Sequence, residues 1–407
     1  MAISSRKLRW FLIPPAIVIA LAVAAPFVLP VSSLIPPLIR IASEKLGQPV
    51  TIAGLKLHLL PTPRIVATGI VVGRKNDATL EELEIVPDLL SLIAGNRDLR
   101  LIRAQNIQLK ESALAFPGAM PKAEAGTPVL VRRVVLHQVR LHHSTLQLPV
   151  FDLDARLGEN FSVEHAQLEF PGSALQMQLV PQGERSAALS LEGRLYGGSV
   201  KASARADWTK GWQVSGTANL ASVDVAPVQQ LLRKKPQLTG RLKTNVTFSA
   251  RAKSPDLLAN AVALDGPFEV LGGAYQGVDL SKAGDLTGKA APGDATTFQE
   301  LKGKLQLRGK RTRISELCVR SPKLVAGGNI DIAPDQTLSG KLDVSVAKTG
   351  GFVGVPVSLT GTTSNPSVRP TKGYMIGAAV GTLLLPGIGT AMGSSLGSRS
   401  EGTSNCK

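Results

Sequence analysis

At 407 residues the chain exceeds the usual length of one compact domain, which leaves one elongated body or roughly two to three modules. Its 43% hydrophobic content supplies a core, yet only 4% of residues are aromatic while glycine contributes 40, a balance produced by many short strands with tight turns. The formal charge of +16 points to an anionic partner, and Cys318 and Cys406, the two cysteines, have neither metal-type nor redox-type spacing.

Arg6, Lys7 and Arg9 precede an uncharged stretch from Trp10 to Ile39, with "AIVIALAVAAPFVL" as its most apolar part. A membrane-spanning helix needs about 20 such residues. Residues 1–32 are therefore expected to be a cytoplasmic tip and transmembrane anchor, with Trp10, Phe11, Ile17, Leu21 and Val28 facing lipid. The basic flank keeps the N-terminus cytoplasmic and exports the rest. A cleaved signal peptide is the alternative, because "ALAVA" has small residues at a cleavage spacing.

Residues 33–115 form the first exported region. "SSLIPPLIRIASEKLG" reads as a short helix, with Ser33 as cap, Pro36 and Pro37 near its start and Gly47 closing it. Leu34, Leu38 and Ile41 give it one face to lay on membrane or sheet. In "LGQPVTIAGLKLHLLPTPRIVATGIVVG", Leu55, Leu57 and Leu59 alternate with Lys56 and His58, Pro61 to Pro63 end the strand, and Ile65 to Val72 return as a hairpin. "VPDLLSLIAGN" predicts a small helix with Pro87 at its start and Gly95 beyond its end, and "LRLIRAQNIQLKES" resumes as strand. Residues 116–128, "FPGAMPKAEAGTP", have loop composition and mark a linker.

A middle β region (129–236) and a C-terminal β region (237–370) follow. In "SVKASARADW", Val200, Ala202, Ala204, Ala206 and Trp208 share a face opposite Lys201, Ser203, Arg205 and Asp207. "LTGRLKTNVTFSARA" sets Leu238, Gly240, Leu242, Val246, Phe248 and Ala250 against Arg241, Lys243, Asn245 and Arg251, and "LSGKLDVSVA" repeats the pattern with Leu338, Leu342, Val344 and Val346. These are strands of an antiparallel sheet, apolar on one side. "VDVAPVQQLLRKKP" predicts a helix capped by Asp224, with Arg233, Lys234 and Lys235 in its last turn and Pro236 as its stop. "SPDLLANAV" starts another, with Ser254 as cap and Pro255 first.

Catalytic motifs are not evident. Adjacent His142 and His143 point to opposite faces of a strand and do not readily share a metal. "GKLQLRGKR" resembles a phosphate loop only superficially: five residues separate its glycines and no Ser or Thr follows the Lys. Neither an enzyme, a cofactor nor a metal is expected. Lys302, Lys304, Arg308, Lys310, Arg311 and Arg313 crowd one outward-facing segment, suited to phospholipid or lipopolysaccharide headgroups or to a plain solvated face. Nucleic acid is not the expected partner beyond an export anchor. Cys318 reads as a buried thiol and Cys406 as a frayed tail cysteine.

The glycine-rich tail, 371–407, is uncharged from Gly373 to Ser398. Gly373, Gly377 and Gly381, then Gly389, Gly393 and Gly397, recur at four residues and give each half of a helical hairpin a smooth packing seam, broken at Pro386 and Gly387. A flexible tail is the alternative.

Taken together, these stretches resemble the AsmA family of inner-membrane-anchored envelope proteins. The likeness covers roughly residues 1–112 and 237–370, above all "GRLKTNVTFSARAKSPDLLANAVALDGPFEVLGGAYQGVDLSKA" and its continuation to "VPVSLTGTTSNPSVRP". The resemblance implies a periplasmic body in a Gram-negative cell envelope, a single N-terminal pass through the inner membrane, and a role in outer-membrane biogenesis. The expected fold is mainly β with short α-helices: an elongated, bent antiparallel sheet of groove-like stacked strands behind a transmembrane helix. Phospholipid or another anionic envelope lipid would bind or move along its hydrophobic groove. Leu242, Val246, Phe248, Phe268 and Val270 are the groove candidates, because they combine alternation with the family-like segment. Outer-membrane or other envelope proteins would be further partners. A sheet filled by its own side chains, acting as a non-conducting assembly scaffold, is the alternative. The chain is short for the family, which weighs against its bridging the whole envelope.

Overall fold

Strict alternation leaves each strand with one apolar face, and the computed structural model shows how those faces are used. It describes residues 35–115, 130–280 and 295–375, apart from 97, 145, 160–161, 233–234, 278 and 349–350, together with Cys406. The anchor candidates, the 116–128 linker and the tail glycines after Gly373 lie outside the described residues. Among the described residues, no helix is long and apolar enough to cross a membrane.

The chain is mainly β, with few short helices, and its contacts divide it into two compact units whose division falls within strands β8 (Leu175–Gly183) and β9 (Ser186–Leu195). The first unit starts with helix α1 (Ile35–Leu46), followed by β1 (Val50–His58), β2 (Arg64–Val72) and β3 (Ala78–Pro87). A short helix, α2 (Leu89–Ile93), leads to β4 (Leu99–Lys110), and a 3-10 turn at Glu111–Ala115 follows. Strands β5 (Arg133–His142), β6 (Phe151–Leu157) and β7 (Val163–Glu169) lead on to β8.

These strands pair in chain order, antiparallel except at one place. Strands β4 and β5 are parallel, with Ala104 opposite Leu136 and Ile107 opposite Val139. Alternation alone predicted antiparallel neighbours; the long connection from 111 to 132 instead carries the chain back to the end where β4 began, which only a crossover achieves. Val50, Ala67, Ile70, Val72, Ala78 and Ala113 form the first core, and Ala104, Ile107 and Val139 the second. Gly69 sits at φ 62°, and a Cβ there would lie 2.7 Å from that of Ala53, so glycine is required where β1 and β2 approach.

Helix α1 forms as expected, and Gly47 ends it at φ 63°. Ala42 and Leu46 pack against the core, whereas Leu38 and Ile41 are exposed, so of the two surfaces expected for their face the sheet is not the one they meet. The Ser43 hydroxyl accepts the Val50 N–H at 3.0 Å and ties the helix to β1. In α2 the cap is Asp88, whose carboxylate accepts from the Leu90 and Ser91 amides, and Pro87 belongs to β3 rather than to the helix start.

The second unit continues with β10 (Gly198–Asp207), β11 (Trp212–Asp224), helix α3 (Val225–Leu231), β12 (Arg241–Ala252), a 3-10 segment at Pro255–Ala261 and β13 (Ala263–Gln276). It ends with β14 (Ala295–Arg308), β15 (Arg311–Ser321), β16 (Leu324–Ile332), β17 (Leu338–Lys348), β18 (Gly351–Thr362) and β19 (Asn365–Pro370). Strand β9 pairs with β10, and from β10 to β19 each strand pairs antiparallel with the next.

Asp224 caps α3, as the sequence predicts, accepting from the Ala226 amide at 3.1 Å. The helix stops at Leu231, however, so its last turn carries no basic residue. Gln229 ties the chain beyond the helix back to it. Its carbonyl oxygen accepts from the amides of Gln237 and Leu238, at 2.9 and 3.2 Å, and its amide donates to Leu238 O at 2.6 Å. The side chain thereby satisfies backbone groups of the chain that runs from the helix towards β12.

Cys318 and Cys406 form a disulfide, with Cα atoms 5.2 Å apart. This corrects the expectation of a buried thiol and a frayed tail cysteine. Cys318 is indeed buried, but on the sheet face opposite its core-forming neighbours Leu317 and Val319, where it stands beside Lys302 and Gly327.

Candidate functional site

The apolar face of the second unit is assembled by register. Across β10, β11 and β12, Ala202, Ala218 and Val246 lie in one row and Ala204, Gly216 and Phe248 in the next. Leu242 then stands opposite Val270, and Thr244 opposite Phe268, on β12 and β13. All five groove candidates thus occupy the same side of the sheet. Their outward neighbours Lys243, Asn245, Thr247 and Ser249 are exposed.

The register splits this face into two zones of different packing. From β13 to β18 it is filled: Val270, Leu324, Val344 and Val357 are at most 2% exposed and form a continuous core with Phe298, Leu317, Val319 and Leu342. Leu242 and Phe268 pack against that core. From β10 to β12 the inward face is mixed: Val200, Ala206 and Ala250 are buried, while Ala202, Ala204, Gly216, Ala218 and Phe248 in its middle rows are only half-buried. Val246, 7% exposed, belongs to this second zone and lies outside the continuous core. The two zones follow from side-chain volume. The alanine side chains fill less of this face than the valine, leucine and phenylalanine rows do, whereas at Gly216 the neighbouring strand closes in, and a Cβ there would lie 2.1 Å from Ser203 O.

On the outward face, an open cleft of about 420 Å³ is lined by Ser215, Thr247, Ser249 and Ala263 and by an ion pair, Arg308 with Asp265, at 3.6 Å; Phe248 and Leu264, which belong to the inward rows, border it. Arg308 is held in place by donating to the carbonyls of Leu264 and Leu307, at 3.3 and 3.0 Å. The cleft is lined mainly by polar residues, and the exposed guanidinium suits an anionic group rather than an acyl chain. Sequence reasoning marked Arg308 only as one of a crowd of cations, because alternation places it outward without saying which strand end it borders.

That crowd is extensively paired. Lys302 and Arg320 both meet Glu300, at 3.1 and 3.2 Å, Lys304 meets Glu316 at 2.7 Å, and Arg313 meets Asp331 at 2.8 Å. Carboxylates on the same and neighbouring strands thus moderate the field expected of this segment. On the same outward face Asp343 lies opposite Gly327, and burial pushes its carboxyl above the ordinary range. In the first unit a hydrogen bond from Arg133 holds the Asp154 carboxyl below that range.

The histidines point as alternation requires. His143 is buried against Glu111 at 3.4 Å, while His142 is exposed. Among the described residues, no three His, Cys, Asp or Glu side chains converge on a metal-sized site. Gly373 is described, in a helical turn at 372–375 whose Tyr374 packs against the core.

No family model, curated protein or solved structure matches this chain.

Proposed function

We propose that this chain is an AsmA-like envelope protein, anchored in the inner membrane by one N-terminal pass, with its bulk in the periplasm. In this reading it serves outer-membrane biogenesis by binding or transferring phospholipid along an apolar β groove within an elongated, bent sheet. No catalytic step belongs to the reading. The observation that carries it is the half-buried patch of Ala202, Ala204, Gly216, Ala218 and Phe248 on the inward face of β10 to β12, which lies among the buried Val200, Ala206, Val246 and Ala250 and beside the filled core of β13 to β18. An antiparallel sheet with one apolar face needs a cover, and an acyl chain is thin enough to lie on rows this small. The Cys318–Cys406 disulfide supports an oxidising compartment such as the periplasm.

The filled zone favours a second reading, a non-conducting scaffold for envelope assembly, over that part of the sheet. A photo-crosslinker separates the two. Placed at Phe248 on the full chain in cells, it should capture lipid, while one at outward Asn245 should not. Equal labelling at both positions, or none at Phe248, would remove the groove and leave the scaffold.

A further inference from the structure

The first unit carries an exposed apolar tip that its own packing does not use. Strands β1 and β3 run in the same direction, both antiparallel to β2, so the β1–β2 turn and the β3–β4 connection leave the sheet at the same end. Leu60 in the turn is 45% exposed, and in α2 Leu89, Leu90, Leu92 and Ile93 are 46, 81, 46 and 85% exposed. Ser91 is the only polar residue of α2, and its hydroxyl donates to Asp98 at 2.8 Å. At about 100° per residue, the other four cover roughly 160° of the helix circumference, a wide apolar face. A fluid surface accepts such a tip from every side.

The charges around the tip are layered. Glu84, 14% exposed, is covered by Arg64 and Arg103, which are 29 and 38% exposed. Asp88, 17% exposed, lies beneath Arg132 at 56%. Arg133 and Arg100 are exposed nearby. Glu84 and Asp88 are sunk and engaged, and Asp154, 42% exposed, is held by Arg133, so the other groups that meet an approaching partner are the guanidiniums of Arg64, Arg100, Arg103 and Arg132. Leucine and isoleucine side chains ringed by outward arginines match the boundary between acyl chains and anionic headgroups.

We propose that this end of the first unit, formed by the β1–β2 turn and α2, docks on an anionic lipid surface and inserts Leu90 and Ile93 into its interfacial layer. This attachment is independent of the N-terminal anchor and does not rest on the groove proposed above. The test uses the full chain in zwitterionic nanodiscs, with the native disulfide intact and an environment-sensitive fluorophore at Ile93→Cys. A control label sits at Arg74→Cys, in the β2–β3 turn at the opposite end of the sheet. Adding vesicles of phosphatidylethanolamine and phosphatidylglycerol should shift the emission at 93 to the blue and leave that at 74 unchanged. Vesicles of phosphatidylcholine alone should give a smaller shift at 93. The proposal is overturned if 93 stays in a watery environment beside the anionic vesicles, if 74 shifts equally, or if the two vesicle types act alike. It also falls if 93 is already in an apolar environment before vesicles are added, since the protein's own chain or the zwitterionic bilayer would then cover the tip without an anionic surface.

Discussion

Cys318, buried on β15, and Cys406, at the far end of the glycine-rich tail, are covalently joined with their Cα atoms 5.2 Å apart. The bond closes a loop with a sequence separation of 88 residues, which includes β16 to β19. The double substitution Cys318→Ser, Cys406→Ser should lower the stability of the second unit by about 2–4 kcal/mol. Urea unfolding followed through Trp208 and Trp212, which stack at 5.6 Å in that unit, measures it. Protein from a periplasmic preparation should show one disulfide-linked peptide pair and no free thiol by mass spectrometry. Free thiols there would remove the support this bond lends to an exported body.

Filling the small-residue face should block the groove without unfolding the sheet. Ala204 stands in the same row as Gly216 and Phe248, so Ala204→Phe places a ring where an acyl chain would lie. Most of the lipid capture at Phe248 should disappear while the urea midpoint changes little. Undiminished capture would place the lipid elsewhere.

The filled zone should respond in the opposite way. Leu324→Ala, at a side chain 2% exposed, should cost about 2–5 kcal/mol through lost burial and a residual cavity. Leu271→Ala, at a side chain 47% exposed, should stay within about 0.5 kcal/mol. Similar losses at the two positions would contradict the core described for β13 to β18.

Gln229 should matter more than its residue type suggests. Gln229→Ala leaves the Gln237 and Leu238 amides without their acceptor, at a cost of about 1–3 kcal/mol. Hydrogen exchange should accelerate first at those two amides and at the start of β12. Unchanged protection there would show that other groups hold the chain's return.

Asp154 sets a pH dependence in the first unit. Its hydrogen bond from Arg133 lowers the folded-state pKa, so the associated stability is present above the unfolded value of about 3.9 and is lost as pH falls through the lower folded value. Asp154→Asn should therefore destabilise at neutral pH, and its difference from the parent should vanish below the folded pKa. The effect is small, because the side chain is 42% exposed. Thermal melts between neutral and strongly acidic pH measure it, and a difference that grows on acidification would refute the assignment.

Much of the local structure was legible in the sequence, because the signals are local. The alternation of Leu242, Val246 and Phe248 with Lys243 and Asn245 needs only the twofold repeat of a strand to say which side chains share a face. Asp224 as a helix cap and Gly47 as a left-handed helix stop follow from the groups a helix leaves unpaired at its ends. Strand partners do not follow from such signals, since every strand offers the same backbone donors and acceptors. The parallel pairing of β4 with β5, the sharing of Glu84 by Arg64 and Arg103, and the meeting of Cys318 with Cys406 all depend on where the chain returns after a long detour. Burial is decided at the same level. Alternation makes both Val344 and Ala204 inward, but only the volumes of their cross-strand neighbours leave one at 0% exposure and the other half-open. In the same way, Leu90 and Ile93 look like core residues in sequence, and the end of the sheet on which they stand leaves them in water.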